Sequence, residues 1–556
     1  MMLKNKNLFF LSFFFLSFSG CIKRVPLEIV DCVSCEDLKI SFQEINDASS
    51  QTLWGEKIYL PKHLKTFYQD IGFRLVWSEN GDILPSGVSL INELKQLDGE
   101  GLNPQDYHLN ALEKVVSKQS EDKFNLRLSS NAIQFDLLMS DAFLMAAKHL
   151  LGGRALDENS LLQWKIIRRK ADLVFLLHAA ILDNKVAESL ESLVPTDERY
   201  VRLKEALLKY RKISRSGGWK TLSDKKFFKK GDQGPLVSAL KKRLMFEVPG
   251  VSTSTKSNDK FDTVFEKQVK AFQRAHGLPE VGEVGPATIK ALNVSVVDRI
   301  HQIKFSLDRF RWLPIELGAR YLIVNIPQFR LQAYKNNVEQ FSLPTVVGKD
   351  KGETQTPEFS DEMTYIEFSP EWNVPRSIAV NEILPKLQED PKYVSKNKME
   401  VFNGDKGPLT ETEIQKIEWC DLTPSDFPPY RFRQKPGPWN SLGSVKFMFP
   451  NPYNVYIHGT TAPDLFDKRL RTFSHGCIRL KDPIPLAKFV LEDPDWTEDR
   501  IRQYLNQTEP VVVHLAKSLP VYIVYWTAWV GKDNWVSFRD DIYGLDQKLH
   551  RIFYSD

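Results

Sequence analysis

Apolar residues recur at helical spacing through most of the first 213 positions and at strand spacing after about residue 300. Residues 132–151 (AIQFDLLMSDAFLMAAKHLL) carry apolar side chains at helical intervals, and Gly152-Gly153 supplies the stop. Residues 173–177 and 200–210 continue the pattern, which predicts a helical scaffold over 51–213. Residues 214–226 are polar, basic and Gly-containing, and read as a linker. A compact unit is expected over 228–293. It has an amphipathic run at 236–246, a polar loop at 251–260 and a second helical stretch. There Val269, Phe272, Leu278, Ile289 and Leu292 can line one core, with Gly277 capping a helix.

From about residue 300 the pattern turns to β. Short β-branched or alternating runs at 321–327, 330–334, 341–347 and 363–368 are broken by Gly and Pro. Residues 387–438 are more helical and polar and read as a capping insertion or lid. Strand character returns at 445–449 and 455–457. Residues 483–492 read as a helix, with Asp482 as its cap and Pro483 in its first turn. Strands at 511–515 and 521–525 complete a β-rich, sandwich-like domain over 297–525, and the tail 526–556 is expected to pack back on the body. The fold class is therefore multidomain α+β. A length of 556 residues independently demands several domains.

The N-terminus carries Lys4 and Lys6, then an apolar stretch at 8–18 that is too short to span a bilayer. Phe18-Ser19-Gly20-Cys21 resembles a bacterial lipobox, with Phe18 where leucine is usual. That resemblance makes 1–20 a lipoprotein signal peptide, Cys21 the lipidated mature N-terminus and 21–50 a tether. Ile22 follows Cys21 where an inner-membrane lipoprotein would carry aspartate. The expected location is thus the periplasm, lipid-anchored, with the outer membrane favoured. Without Lys4 and Lys6, 73 of the 75 basic residues face 71 acidic ones. No strong field remains to recruit nucleic acid.

Export also changes the reading of the five cysteines. Cys32 and Cys35 are close enough for a local disulfide in an oxidising compartment, and no second pair or nearby histidine completes a zinc site. No metal site is expected. Cys420 reads as a small buried hydrophobe. Cys477 remains, an unpaired thiol in an exported chain.

Thiol catalysis needs a base, a group that orients the base, and donors for the oxyanion. Cys477 follows a glycine in a turn, so the N–H groups of Gly476 and Cys477 are candidate oxyanion donors. His458 ends a predicted strand 19 residues upstream, a spacing that allows a hairpin-like return to the cysteine. His475 is a second imidazole two residues from the thiol. Tyr456 precedes His458 by two and shares its face on a strand.

His458-Gly459-Thr460 followed by Ser474-His475-Gly476-Cys477-Ile478-Arg479-Leu480 resembles the signature of L,D-transpeptidases. QTP at 355–357, WNVP at 372–375 and PGPWNSLGSVKFMFPN at 436–451 support it, as do YQDIGF, LVWSENG and EGLNPQDYHL in the helical region. Residues 269–293, with F-Q-x-x-x-G-L, V-G-P-x-T and A-L-N in order, resemble the three-helix peptidoglycan-binding module of wall enzymes. Together they look like the large multidomain subclass: scaffold, wall-binding module and catalytic domain with a capping insertion.

The resemblance implies roles. Cys477 is the acylated nucleophile, His458 the general base, and Gly459 the position whose carbonyl orients the imidazole. Ser474 and His475 line the site. Arg479 stands where many small members have asparagine, and could hold a stem-peptide carboxylate through two hydrogen bonds. The implied reaction breaks the bond between the third stem residue and D-alanine. It leaves a thioester on Cys477 and passes the acyl group to an amine of a neighbouring stem, a 3→3 cross-link. No cofactor is implied, the partners are peptidoglycan stem peptides and glycan, and carbapenems are expected to acylate Cys477. Transfer to water, to a free D-amino acid or to another protein would use the same acyl-enzyme. Outside that class stand a non-catalytic wall-binding lipoprotein and a thiol peptidase of another fold.

Overall fold

The computed structural model describes residues 38–39, 52–155, 169–223, 227–248, 259–405, 407–425 and 429–554. The stretch read as a signal peptide, Cys21, Cys32, Cys35 and nearly all of the stretch read as a tether lie outside them. Leu38, inside the stretch read as tether, is buried in the scaffold core.

The scaffold is built around one long helix, α1 (Ser129–Gly152). Helices Pro61–Asp70, Pro85–Gln96, Leu109–Ser117 and Leu173–Leu182 all contact it, so it is apolar nearly all round. Its buried carboxylates hold loops whose amides have no helical partner. Asp136 accepts from Val76 and Trp77 N–H (2.9 and 2.8 Å), and Asp141 from Tyr59 and Leu60 N–H (3.1 and 2.9 Å). The helix ends at Gly153, in the left-handed region at φ +81°, where a Cβ would run into the Trp312 indole.

Helix α2 (Glu198–Arg215) closes the scaffold. The small module follows as α3 (Pro235–Leu244), α4 (Thr263–Ala275) and α5 (Pro286–Leu292). Val269, Phe272, Ile289 and Leu292 share its core with Val237, Leu240 and Phe265. Leu278 does not: it stays half-buried and lines a cleft, because Gly277 (φ +63°) turns the chain out of the helix just before it.

Helix α6 (Val296–Arg311) corrects the expectation of β texture from residue 300. It packs on α2, α1 and the C-terminal helix α7 (Leu545–Tyr554), and buries Arg299, Lys304, Asp308, Arg309 and Arg311. A helix buried at the junction of several bodies shows no polar face, so its period is hidden. Its charges are instead paired across the junction, as in Arg309–Asp546 (2.5 Å).

The β-rich domain is, among the described residues, one sheet of nine strands: β1 (Arg320–Asn325), β2 (Arg330–Lys335), β3 (Val338–Gly348), β4 (Phe359–Phe368), β5 (Val445–Met448), β6 (Ile457–His458), β7 (Thr472–Ser474), β8 (Ile478–Leu480) and β9 (Val511–Val524). Their order is β7-β3-β8-β6-β5-β4-β9-β1-β2, and β2 also pairs with β3. The sandwich-like expectation therefore takes the form of a sheet closed upon itself around Leu322, Val324, Ile366, Phe447, Ile457 and Ile478. The two strands predicted at 511–515 and 521–525 are one, β9, with a register shift between His514 and Leu519. The tail supplies the hairpin Ala528–Val530/Val536–Phe538, and Trp526 stacks on Phe310 at 4.0 Å.

The insertion is wider than 387–438 at its start. Its three-stranded sheet takes in Trp372–Asn373 beside Tyr430–Gln434 and Met399–Asn403. It has a core of its own, including Ala379, Leu384, Leu387, Val401, Trp419 and Phe432. Cys420 is exposed rather than buried, with Trp419 taking the inward position.

Candidate active site

Strand β6 pairs in parallel with β8, Ile457 opposite Ile478 and His458 opposite Arg479. Ile478 N–H donates to Tyr456 O at 3.0 Å, continuing the pairing one step earlier. In parallel neighbours, registered residues point the same way and faces alternate. Tyr456, His458, Cys477 and Arg479 therefore share one face. The return between the strands is not a hairpin. Parallel strands need a crossover, and residues 459–477, with a 3₁₀ turn at Pro463–Asp467 and strand β7, provide it.

Cys477 is half-buried and unpaired, and its sulfur lies 3.7 Å from the Asn454 carbonyl. Burial pushes its thiol pKa up. Hydrogen bonds from the Tyr456 backbone and hydroxyl, and the charges of Lys446 and Arg479, pull the other way. Lys446 lies 4.6 Å over the Tyr456 ring, and that ring is 5.6 Å from His458. Tyr456 thus touches both groups expected to do the chemistry.

His458 is buried, and burial together with the Arg479 charge pushes its pKa down to about 3. The ring is neutral across the physiological range. Its Nδ1 lies 3.3 Å from the Leu442 carbonyl, and hydrogen bonds donated by the imidazole to the backbone of Leu442 and Gly459 partly offset the shift. The orienting group is therefore main chain at two places, one of them outside the signature. The two segments fit closely: a Cβ on Gly443 (φ +67°) would meet Thr460 N at 2.5 Å, and one on Gly459 would meet the Leu442 carbonyl at 3.3 Å. Among the described residues no hydrogen bond joins His458 to Cys477. The thiol points instead at the Asn454 carbonyl.

Ser474 staples the cysteine turn. Its Oγ accepts from Gly476 N–H (3.2 Å) and donates to the Cys477 carbonyl (2.5 Å). Gly476 N–H is thereby committed, which removes it from the oxyanion role expected of it. Thr356, from the QTP segment, donates to the Gly476 carbonyl at 2.7 Å and accepts from Gly348 N–H at 2.9 Å. Tyr543, from the tail, donates to the Gly348 carbonyl at 2.6 Å. Periodicity alone offers no signal for that brace.

His475 faces away from a base role. Its Nε2 lies 2.6 Å from Glu382 Oε1 and 3.2 Å from Lys349 Nζ. Glu382 sits in a π-helical turn (Ala379–Ile383) at the root of the insertion. Arg479 is half-buried and its Nε has no hydrogen-bond partner; burial pulls its pKa down, against the influence of Cys477 and Glu382.

Three family models match the chain: "Scaffold domain" over 62–207, "Putative peptidoglycan binding domain" over 233–292 and "L,D-transpeptidase catalytic domain" over 319–513. A Haemophilus influenzae protein named "Putative L,D-transpeptidase" is 29% identical over 229 residues, which cover 41% of this chain. The match spans 45% of that relative's own length. Among solved structures, an L,D-transpeptidase of Xylanimonas cellulosilytica matches at 14% identity and TM-score 0.17, covering 54% of this chain and 98% of its own. A fused zinc-dependent amidase/peptidase/peptidoglycan-binding protein of Clostridium acetobutylicum matches at 12% and 0.16, covering 54% and 99%.

Proposed function

We propose that this chain, whose residues 319–513 match an L,D-transpeptidase catalytic domain, cross-links peptidoglycan stem peptides through a thioester on Cys477. The observation that carries this reading is the shared face of Tyr456, His458, Cys477 and Arg479 on two parallel strands. At rest the thiol keeps its proton and the imidazole is neutral, so the pair is poised for proton transfer rather than pre-ionised. His458 takes the thiol proton as sulfur attacks the carbonyl of the third stem residue. The C–N bond to D-alanine breaks, and the amine leaves with that proton. The amine of a neighbouring stem then attacks the thioester, loses its proton to His458, and the thiol is regenerated as the 3→3 amide forms. Tyr456 supports the sulfur anion, and Arg479 receives a stem carboxylate.

The module over 233–292 raises the local substrate concentration. A lipid on Cys21 would hold the enzyme in the periplasm, on the outer membrane. The test is incubation with disaccharide-tetrapeptide, read by mass spectrometry. Dimers lacking one D-alanine are expected, and monomeric tripeptide would instead identify water as the acceptor. Cys477→Ala is expected to lose both this product and the carbapenem adduct; an adduct persisting on that variant would exclude Cys477 as the nucleophile.

A further inference from the structure

A cleft of about 1180 Å³ lies between the module and the catalytic sheet, away from the Cys477 face. One wall is the end of α4 and its following turn. The other is the β1–β2 turn and segment 466–471, which leads into the cysteine loop. A second cavity of about 720 Å³ lies between β2 and the start of α2. The two share Gln328, Gln332, Glu339, Trp529, Gly531 and Lys532, so they are lobes of one trench with Trp529 at its neck. Pockets for small ligands run to roughly 1,000 Å³, so a two-lobed trench of this size suits a segment of polymer.

Its charge is uneven. Arg274 and Arg469 are neutralised by Glu280 and Asp540. Arg330, Arg471 and Arg539 have no carboxylate ion pair among the described residues. Arg330 is exposed and bonds only to Ser342, while Arg471 and Arg539 bond to backbone carbonyls. Burial, then the like charge of Arg330, pushes Arg471 and Arg539 down to about 10. Asp540 partly balances Arg539, but Arg330 and Arg471 stand without a paired carboxylate among the described residues; such guanidinium groups favour carboxylates, which they can hold through paired hydrogen bonds. The half-buried Trp529 indole at the neck has the Arg539 guanidinium over one face at 4.8 Å, so a ring can stack only on the opposite face. A bilayer surface cannot enter a recessed trench.

We propose that this trench binds a segment of peptidoglycan strand. Stem-peptide carboxylates would sit on Arg330 and Arg471 and sugar rings on Trp529, so that the strand is led along segment 466–471 toward Cys477. The identity of the polymer rests on the function proposed above; the demand for an acidic, ring-bearing polymer does not.

The experiment uses the full chain with Arg330→Glu and, separately, Lys532→Glu, both exposed positions, with Lys517→Glu on β9 as a remote charge-reversal control. Co-sedimentation with purified sacculi is compared with sacculi stripped of stem peptides by an amidase, and thermal melting checks folding. Each trench variant is expected to bind intact sacculi roughly tenfold more weakly. Lys517→Glu should bind like the parent, and the trench variants should not differ from it on stripped sacculi. Unchanged binding of both trench variants would overturn the proposal, as would an equal loss on stripped sacculi or on phosphatidylglycerol vesicles. Turnover of disaccharide-tetrapeptide is measured separately. No turnover with Arg330-dependent binding would overturn the proposed function and leave the trench standing.

Discussion

A thiol attacks only once its proton has gone, and at Cys477 burial keeps the proton on. The neighbouring imidazole is also displaced from its usual behaviour, with a pKa of about 3. The sign follows. Histidine in water is half-protonated near pH 6.5, but His458 stays neutral down to about 3, so its ring is unprotonated throughout the range between. The carbapenem acylation rate is therefore expected to show no step near pH 6.5 and to rise with thiol ionisation in the alkaline range. An acid limb centred near 6.5 would mean that His458 is solvated. At this scale the spacing of His458 and Cys477 made the pair legible. The Leu442 carbonyl was not, because it lies in another segment and acts through its backbone, which no residue type reveals.

Between residue and domain, the cysteine loop is held by elements far apart in sequence. Thr356 ties the Gly476 carbonyl to the end of β3, and Tyr543 ties that end to the tail. Thr356→Val keeps the shape but strands two buried backbone groups, costing about 1–3 kcal/mol of stability. Because a misplacement of about 1 Å can cost about a hundredfold in rate, acylation is expected to fall by roughly ten- to a hundredfold. Thr356→Ser should restore most of it. Equal rates for the parent and Thr356→Val would remove the brace from the mechanism. The His475–Glu382 contact is of the same kind, joining the loop to the root of the insertion. Strands were readable from alternation where one face is more exposed, as at β2, and from a continuous apolar run where both are buried, as at β1. Strand β9 read as two because Ala516-Lys517-Ser518 interrupts its apolar run while the backbone stays paired beyond it.

For the whole molecule, α6 is the shared strut. Gly153 marks where the scaffold meets it, through the Trp312 indole and the Asp308 carboxylate. Gly153→Ala puts a Cβ at φ +81° against that indole, so a loss of about 1–3 kcal/mol is expected. It should appear as a lowered melting temperature of the full chain, and an unchanged one would show that the junction is loose. The sequence also hid how much charge this junction buries. Arg309, Arg311 and Asp308 look like a solvated face until their partners from the scaffold and tail are in place.

By itself the sequence determined whatever local order can carry: the helical and β textures, the glycine stops, the three-helix module and the spaced histidine and cysteine. Those features follow from backbone sterics and from the period of apolar side chains. Tertiary structure alone decided that the histidine and cysteine strands run parallel, so that four side chains share a face. It also committed Gly476 N–H to Ser474, assigned His475 to Glu382 and opened a trench between module and sheet. Each depends on contacts between distant segments, which leave no periodic trace along the chain.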